Sequence, residues 1–397
     1  MNRKKKSGCE RNHRVKKPEP NQNETLPAGK RHIKGIAIAS SAVLICIIGL
    51  LVFYRLFGEK LAAANSITRI NDRLYTMEYE GDYGLDAYLE QGGGADSGEM
   101  ADYLAEFLSG GLCRPGKNKP RDAYGCSTLL GRTADHTYLF GRNYDWQNGV
   151  TMVIHTKPEN GYESISTTAL EFLGFGADWR PEGMKNRMTA LAGIYIPMDG
   201  INEKGVAIAD LMAGDREETH QSTDKADITT TVGIRLVLDH ACSADDAVEI
   251  LKNYDMNSDI GTAHHYAISD RSGRSVVVEY ADGKMTVTET PVVTNHYLMP
   301  GCKNGIGSEQ SKRRFQILKN ALNENDGRFS GNFVRDSLKA VSQGVVGNEY
   351  EITRWSCVYD LEKGSADYYF GEDYSRAYTA ALGRDVFFHA GSEDDPS

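Results

Sequence analysis

The stretch GCSTLLGRTADHTYLFGRNYDW, residues 125–146, alternates apolar and polar side chains on both sides of a short polar turn. This pattern predicts a β-hairpin of two antiparallel strands. If the turn is centred on residues 133–136, Cys126 lies opposite Asn143 in the neighbouring strand. The hairpin therefore brings a cysteine beside the polar sequence GRNYD.

The predicted register also assigns side chains to faces. Asp145 shares the face of Cys126, whereas Arg142 points away, so a bend or bulge is required if both are to reach the thiol. A guanidinium near a thiol favours the thiolate form. If the bond between Gly125 and Cys126 is cut, the new α-amine becomes a general base within the nucleophile's own residue. Asp145 would then hold the ammonium form by a charge-assisted hydrogen bond.

Outward from this hairpin, the chain continues with further hairpin patterns, such as IYIPMDGINEKGVAIADL (194–211) and HYAISDRSGRSVVVEYADGKMTVTE (265–289). Helical periodicity separates them, for example in TTVGIRLVLDHAC (230–242) and SKRRFQILKNALNE (311–324). Antiparallel strands with segregated helices predict an α+β layered fold. The adjacent histidines His264 and His265 have no third ligand at a zinc-like spacing, so we expect them to be structural and expect no metal site.

The charge is divided unevenly along the chain. Residues 1–34 hold eleven Lys and Arg against three Glu, although the whole chain of 397 residues has a net charge of −10. The acidic remainder argues against nucleic acid as a partner. Twenty uncharged residues, GIAIASSAVLICIIGLLVFY, follow the basic segment and are long enough to cross a bilayer.

These features predict four regions. Residues 1–34 form a basic cytoplasmic tail and 35–57 a transmembrane anchor, since Lys and Arg stay on the cytoplasmic side. Residues 58–125 form an extracellular lead segment, and 126–397 the main domain. The localisation is then the cell membrane, with a single span. A cleavable signal peptide is the alternative, because AAAN (62–65) offers a processing site.

The lead segment contains a predicted helix, GEMADYLAEFLSG (98–110), with Met100, Leu104 and Phe107 on one face. A polar, basic loop follows and precedes Cys126. Farther along, LEFLGFGADWRPEG (170–183) supplies Phe172, Phe175 and Trp179, which either line an apolar pocket or pack in the core.

The chain resembles the choloylglycine hydrolase family, which includes conjugated bile acid hydrolases and penicillin V acylases and belongs to the N-terminal nucleophile hydrolases. The resemblance begins with the 125–146 stretch and extends to about residue 375. In order, its further motifs are DGINEKGVAIADL (199–211), HHYAISDRSGRSVVVEY (264–280), VVTNHY (292–297), SKRRF (311–315) and SCVYDLEKG (356–364). The family fold implied is a four-layer αββα sandwich of antiparallel sheets, here preceded by one transmembrane helix.

Carried over residue by residue, the resemblance implies a set of catalytic positions. Cys126 corresponds to the nucleophile and Asn295 to the asparagine that donates to the oxyanion. The remaining positions are the thiol-adjacent Arg142, the amine-binding Asp145 and the late arginine Arg314, for which Arg313 is the alternative. No cofactor is implied.

Two departures from the family pattern bear on function. Met212 stands where bile acid hydrolases have a second asparagine, and methionine cannot donate a hydrogen bond but suits a lipid-like acyl group. In addition, 125 residues precede the cysteine, which implies self-cleavage between Gly125 and Cys126. We expect the lead segment to stay packed on the domain afterwards, through Leu104, Phe107 and the tyrosines Tyr75, Tyr79 and Tyr83.

The expected function is hydrolysis of a linear amide bond in a small N-acyl amide, such as a conjugated bile acid, penicillin V or a fatty acyl amide. Phe172, Phe175 and Met212 are the expected substrate-binding residues. One alternative is an acyltransferase that uses the same thioester. Another is a catalytically silent surface protein that binds lipids or peptides and keeps the 125–126 bond intact. The sequence does not indicate the oligomeric state.

Overall fold

The computed structural model describes residues 28–116, 125–147, 149–214, 217–258, 261–325, 328–344, 352–384 and 387–391, with side chains from residue 40 onward. Most of the expected basic tail and residues 117–124 of the lead segment lie outside these residues. The chain divides into two units, residues 1–56 and residues 57–397. All the described strands belong to the second unit.

The helices and strands of the described residues have the following bounds. The helices are α1 (Ala28–Ser66), α2 (Leu85–Glu90), α3 (Ser97–Ser109), α4 (Gly183–Ala190), α5 (Thr230–His240), α6 (Ala244–Leu251), α7 (Glu309–Glu324) and α8 (Gly331–Ala340), with short 3-10 helices at Leu170–Leu173 and Leu191–Tyr195. The strands are β1 (Thr68–Arg69), β2 (Leu74–Glu80), β3 (Cys126–Arg132), β4 (Tyr138–Trp146), β5 (Thr151–Lys157), β6 (Ser164–Ala169), β7 (Pro197–Asn202), β8 (Val206–Met212), β9 (Ala226–Thr229), β10 (Tyr254–Asn257), β11 (His264–Asp270), β12 (Ser275–Ala281), β13 (Lys284–Glu289), β14 (Val292–Thr294), β15 (Ile352–Asp360), β16 (Ser365–Phe370), β17 (Tyr378–Ala381) and β18 (Phe388–Ala390).

Helix α1 contains a segment, Ser40–Ser66, that is long and apolar enough to cross a membrane. Its large apolar side chains are exposed, among them Ile45 and Leu50 at 69% and 67%. Exposed apolar surface of this extent is characteristic of a membrane-facing or partner-facing segment. The helix has the length and composition of the predicted anchor, and a signal sequence has the same properties.

Two large sheets form the centre of the second unit. One has nine strands in the order β1-β2-β5-β6-β7-β8-β11-β12-β13, and the other has seven in the order β14-β3-β4-β15-β16-β17-β18. Helices α5 and α6 contact the nine-stranded sheet, and α7 and α8 contact the seven-stranded sheet. A buried apolar cluster joins the facing sheets, with Val153 and Ala209 from one and Phe140 and Trp355 from the other. The predicted α+β fold with four αββα layers is confirmed.

The helices begin where the sequence provides caps. Ser243 Oγ accepts a hydrogen bond from the Asp246 N–H at the start of α6. Ser308 and Ser330 cap α7 and α8 in the same way, through the N–H groups of Ser311 and Phe333. These caps satisfy N–H groups that have no partner within the helix.

The lead segment is built into the nine-stranded sheet. Strand β2 pairs with β5 in parallel, which is the exception to the predicted antiparallel pairing in the described part of the two large sheets. Tyr75, Tyr79, Tyr83 and Leu104 are each 3% exposed or less, and Phe107 packs against the same cluster. In the uncut chain the lead segment therefore shares the core of the domain, through the residues expected from the sequence.

The hairpin of β3 and β4 differs from the predicted register by one residue. Cys126 pairs with Tyr144 instead of Asn143. The connection has five residues because the Thr133 N–H donates to the Thr137 carbonyl at 2.9 Å, with His136 in the left-handed region at φ 67°. A register change of one residue moves every side chain of the partner strand to the other face.

This correction exchanges the two residues expected near the thiol. Arg142 now shares the inner face of Cys126, and Asp145 points toward the outer layer that contains α8. A bulge between Arg142 and Asp145 on β4 is therefore unnecessary. The irregularity lies instead in the partner strand β15, between Thr353 and Trp355. Arg142 therefore lies on the inner side of Cys126, and Asp145 lies on the outer side.

A first prediction concerns the packing of the lead segment. Replacing Leu104 by Ala should lower the free energy of unfolding by about 2–5 kcal/mol, because a cavity would remain in the shared core. Leu112→Ala is the matched control, since this leucine is 82% exposed. Chemical denaturation of the full-length protein in detergent measures both changes. Equal stability of the two variants would contradict the packing described here.

Candidate active site

Cys126 is the first residue of β3 and is 5% exposed. Its side chain belongs to the apolar cluster between the two sheets and lines a cavity of about 390 Å³. Burial raises the pKa of the thiol, and the charge of Arg142 opposes that shift. Because the burial effect is the larger one, the thiol of the uncut chain is protonated at neutral pH.

The backbone of Cys126 is held by the side chains of Asn295, which follows β14, and Arg314, which belongs to α7. Its N–H donates to Asn295 Oδ1 at 2.7 Å, and Arg314 Nη2 donates to the same oxygen at 2.9 Å. Arg314 Nη1 donates to the Cys126 carbonyl at 2.5 Å and to Ser127 Oγ at 2.7 Å. Asn295 reaches this position because it follows β14, whose Thr294 pairs with Ser127. Between Arg313 and Arg314, the structure brings Arg314 to the site.

Asp145 approaches Cys126 from the outer face of the sheet. Thr353 Oγ1 and Gln343 Nε2 donate to its carboxylate at 2.6 and 3.0 Å, and Arg314 Nη1 lies 3.9 Å from it. The backbone N–H of Asp145 donates to the Gly125 carbonyl at 2.9 Å. Burial raises the pKa of this carboxyl, with the charge of Arg314 acting in the opposite direction.

Arg142 approaches from the inner face. Its Nε donates to Asp199 Oδ2 at 3.2 Å, and its Nη2 donates to the Asp210 carbonyl at 2.8 Å. Asp199 in turn accepts from Trp355 Nε1 at 2.9 Å. These contacts hold the guanidinium close enough to the Cys126 thiol for its charge to oppose the rise in the thiol pKa that burial causes.

The cavity beside Cys126 is mostly apolar. Phe172 and Met212, expected to bind substrate, are among its lining residues. Phe175 corrects the expectation: it lies outside the described lining, is 38% exposed and stacks on Trp179 with ring centroids 5.1 Å apart. The four-residue helix Leu170–Leu173 ends at Gly174, which has φ 80°, so the chain turns away after Phe172. One aromatic residue of the pair therefore faces the cavity.

The lead segment supplies another wall of the same cavity. Met100, Ala101 and Leu104 of α3 line it, followed by Arg114 and Pro115. The sequence predicts that this helix packs on the domain, but it does not predict that the helix lines the pocket. The contact depends on how β2 and α3 dock on the sheet, and helical periodicity alone shows only that α3 has an apolar face.

The sequence analysis does not predict one polar pair in the cavity wall, His264 and Asp210. His265, expected to be structural, contacts Glu279 Oε1 at 3.1 Å in the interior. His264 instead contacts Asp210 at 2.8 Å, and both residues line the cavity. Asp210 and His264 come from separate sequence motifs, and only the pairing of β8 with β11 brings them together.

The arrangement provides the groups that acyl transfer through a thiol needs. The thiol faces a cavity, and a guanidinium lies on its side of the strand. An amine at the position of the Cys126 nitrogen would find an acceptor in Asn295 Oδ1. The Asp145 carboxyl group lies close enough for its charge to act on Cys126. The Asn295 amide group donates to the Met212 carbonyl at 2.9 Å with one hydrogen and keeps a second for another acceptor.

Comparisons with known proteins point to one family. Residues 126–297 match the model of the family described as linear amide C-N hydrolases, choloylglycine hydrolase family. Penicillin V acylase from Pectobacterium atrosepticum is 30% identical over 106 residues, which cover 24% of this chain and 28% of that protein. The match thus spans little more than a quarter of the relative's length.

Solved structures support the same assignment at the level of the fold. Two variants of the conjugated bile acid hydrolase from Clostridium perfringens align over 67% of this chain and 96% and 97% of theirs, with TM-scores of 0.51 and 0.50. Their sequence identities are 20% and 19%. This chain therefore shares the fold of these two structures. The match to the model of the choloylglycine hydrolase family begins at Cys126 and covers residues 126–297.

A second prediction follows from the buried state of Asp145. A carboxyl whose pKa is raised on folding binds its proton more tightly in the folded state, so stability falls as the pH rises above the unfolded value of about 3.9. Asp145→Asn removes this loss. In a Cys126→Ala background, the free energy of unfolding of the Asp145→Asn variant should therefore rise relative to that of its parent as the pH increases above about 4.

Urea denaturation at several pH values measures this difference. Asp135→Asn is the control, because Asp135 is exposed in the turn between β3 and β4. A difference between the Asp145→Asn variant and its parent that does not change with pH, or changes in the opposite sense, would show that the buried carboxyl ionises as readily as a free one.

Proposed function

We propose that this chain is a membrane-anchored linear amide hydrolase whose nucleophile, Cys126, becomes N-terminal when the Gly125–Cys126 bond is cut. The observation that carries the proposal is the division of contacts around Cys126. Its thiol lines the cavity, its backbone N–H donates to Asn295 Oδ1, and the charges of Arg142 and Asp145 both act on it. A cysteine that served only to fill the core would not need a buried guanidinium and a buried carboxyl group close to its thiol.

Cleavage would use the same thiol. Cys126 Sγ attacks the Gly125 carbonyl carbon, and the carbonyl oxygen becomes an oxyanion that accepts the Asp145 N–H already directed at it. The C–N bond breaks, the nitrogen takes the thiol proton, and Gly125 is left as a thioester on Sγ. Water then hydrolyses the thioester, which releases the Gly125 carboxylate and restores the thiol.

Turnover of substrate repeats this chemistry on an external amide. The free α-amine takes the thiol proton, and the thiolate attacks the substrate carbonyl carbon. Asn295 donates to the oxyanion, and the α-ammonium returns its proton to the leaving amine. Water, activated by the α-amine, hydrolyses the acyl thioester and releases the acid. Asp145 and Arg314 position the amine and the backbone of Cys126.

The lead segment, residues 58–125, is proposed to remain bound after cleavage. Its residues Tyr79, Tyr83 and Leu104 share the core of the domain, and Leu104 also lines the cavity. Loss of the lead segment would remove one wall of the pocket. The lead segment is thus a non-covalent subunit of the mature enzyme, and it also connects the enzyme to the membrane.

The proposed location is the outer side of the cell membrane. The apolar helix within residues 35–57 serves as the single span, and the basic residues 1–34 stay in the cytoplasm. The domain from residue 126 to the end of the chain is then extracellular. The support is the length and apolar composition of Ser40–Ser66 together with the basic flank.

The proposed substrate is a small N-acyl amide with a largely apolar acyl group, which contacts Phe172 and Met212. Conjugated bile acids and penicillin V are candidates through the proteins named above, and fatty acyl amides are candidates through the apolar cavity. A panel of these three amide types, assayed for release of the free amine, identifies the acyl group that the cavity accepts.

A third prediction tests the nucleophile. Cys126→Ala should leave the 125–126 bond intact and reduce amide hydrolysis by more than roughly a thousandfold, because both reactions need the thiol. Cys302→Ala, in which an exposed cysteine is replaced, is the control. Mass spectrometry detects the cut, and amine release measures hydrolysis. Undiminished turnover of the Cys126→Ala protein would contradict the assignment.

The same assay separates the alternatives. An acyltransferase would give a new amide when a second amine is added, whereas a hydrolase gives the acid. A surface protein that only binds lipids or peptides would keep the 125–126 bond and release no amine.

A fourth prediction concerns the residue before the cut. A Cβ added at Gly125 would lie 2.8 Å from Asp145 Cβ, so Gly125→Ala should displace the carbonyl that is attacked. Overpacking of this kind costs about 1–3 kcal/mol, which corresponds to cleavage slowed by roughly 5- to 150-fold. Gly331→Ala is the control, because a Cβ there meets nothing within 4 Å. A time course of fragment appearance measures the rates, and equal rates would contradict the proposed geometry.

A further inference from the structure

The cavity wall contains a buried histidine and aspartate pair that takes no part in the chemistry described above. His264 begins β11, and Asp210 lies on the adjacent strand β8, where Met212 is the residue directly opposite His264. His264 Nδ1 lies 2.9 and 2.8 Å from the two carboxylate oxygens of Asp210. The side chains are 4% and 7% exposed.

The other ring nitrogen of His264 is the unusual feature. Among the described residues, Nε2 is buried without a hydrogen-bond partner. His264 lines the same cavity as Cys126, so a group bound there can reach this ring. Since buried polar atoms are nearly always paired, the missing partner at a cavity wall is expected to come from a ligand.

We propose that His264 Nε2 recognises a hydroxyl group on the acyl part of the substrate, with Asp210 as the positioning residue that fixes the ring. The inference rests on the proposed amide hydrolase function and specifies its substrate class. The substrate is an amide whose acyl group is mostly apolar. It carries a hydroxyl group that reaches His264 Nε2 when the amide carbonyl lies at Cys126.

The pairing with Asp210 selects the hydrogen-bonding role of the ring. A carboxylate in contact with Nδ1 keeps the proton there, so the neutral ring presents the Nε2 lone pair to the cavity. A hydroxyl donates to that lone pair.

The charges of the cavity argue against an ionic group at this position. An anion would lie beside Asp210 and share the cavity with Asp96, Asp102 and Asp145. A cation would gain little, because these carboxylates already have partners. Asp210 contacts His264, Asp102 contacts Arg114 at 2.7 Å, and Asp96 caps α3. A neutral donor is therefore the best match to the site.

The surroundings of the pair are consistent with a mostly apolar acyl group. Met198, Met212 and Phe172 line the same cavity, and Tyr144 Oη and Trp146 Nε1 are further buried polar atoms of its lining without a partner among the described residues. An acyl chain without a hydroxyl would fill this space but leave Nε2 unpaired, so the site should distinguish the two chains by about one hydrogen bond.

The test compares p-nitroanilides of decanoic acid and of 3-, 6- and 10-hydroxydecanoic acid as substrates of the full-length protein. At least one hydroxylated amide should have a kcat/KM about tenfold higher than the plain amide, as expected for one neutral hydrogen bond. His264→Leu should bring this ratio to about one, and His264→Gln, which keeps a polar side-chain end, should retain part of it. His389→Leu, at an exposed position, should keep the full ratio.

Removal of His264 alone leaves a buried carboxylate without its partner, which can prevent folding. The double variant Asp210→Ala/His264→Leu removes both members of the pair and serves as the second test of the same ratio. No preference in the wild-type protein, or a preference that survives in the double variant, would overturn the inference.

A binding experiment separates this inference from the proposed function. In the Cys126→Ala protein, calorimetry should show the preferred hydroxylated amide binding about tenfold more tightly than decanoyl p-nitroanilide, and His264→Leu in that background should abolish the difference. Selective binding without hydrolysis by the wild-type protein would contradict the hydrolase function and support the role of His264. Hydrolysis without a hydroxyl preference would contradict the role of His264 alone.

Discussion

The structure depends on how the first residue of β3 is held from two sides. In an extended strand the side chain of one residue points to one face, and its neighbours point to the other. At Cys126 the inner face offers Arg142 and the cavity, and the backbone edge offers Asn295 and Arg314. A thiol and the nitrogen of the same residue can therefore act together only if the chain begins at this residue. The proposed cleavage follows from that constraint.

The proposed function requires a free amine at Cys126, which 125 residues of chain precede, and the structure of the lead segment bears on this requirement. The lead segment is not a separate leader, because β2 extends the nine-stranded sheet and α3 lies against the same core. Removing it would expose the edge of β5 and open the cavity. The proposed cleavage without dissociation would create the α-amine of Cys126 and keep this wall of the cavity in place. The same contacts would keep the active domain near the membrane if α1 is the anchor.

Much of this architecture could be predicted from the sequence. The alternating hairpins and the helical periodicity predicted an α+β layered fold. The four αββα layers and the grouping of Cys126, Asn295 and Arg314 were implied by the resemblance. The register of the first hairpin could not be predicted, because it depends on a left-handed residue, His136, that lengthens the turn by one position. That single residue reversed the faces of Arg142 and Asp145. Phe175 lies outside the described cavity lining for a related reason, since Gly174 turns the chain away from the cavity.

Tertiary pairing decided the rest. His264 looked structural because its partner, Asp210, belongs to a motif more than fifty residues earlier and meets it only through the pairing of β8 with β11. The wall formed by α3 was hidden in the same way, because an apolar helical face does not reveal what it contacts. In both cases the sequence shows the residue type or the apolar helical face, whereas the tertiary structure determines what it contacts.

The most direct test is chemical and uses the 1,2-aminothiol that the account requires. The purified full-length protein is denatured and treated with 2-cyanobenzothiazole, which condenses with a cysteine only when its amine is free, and the adduct is located by peptide mass spectrometry. The account predicts an adduct on the peptide that begins Cys126-Ser127-Thr128. A peptide that still joins Gly125 to Cys126, without any adduct at this cysteine, would contradict it.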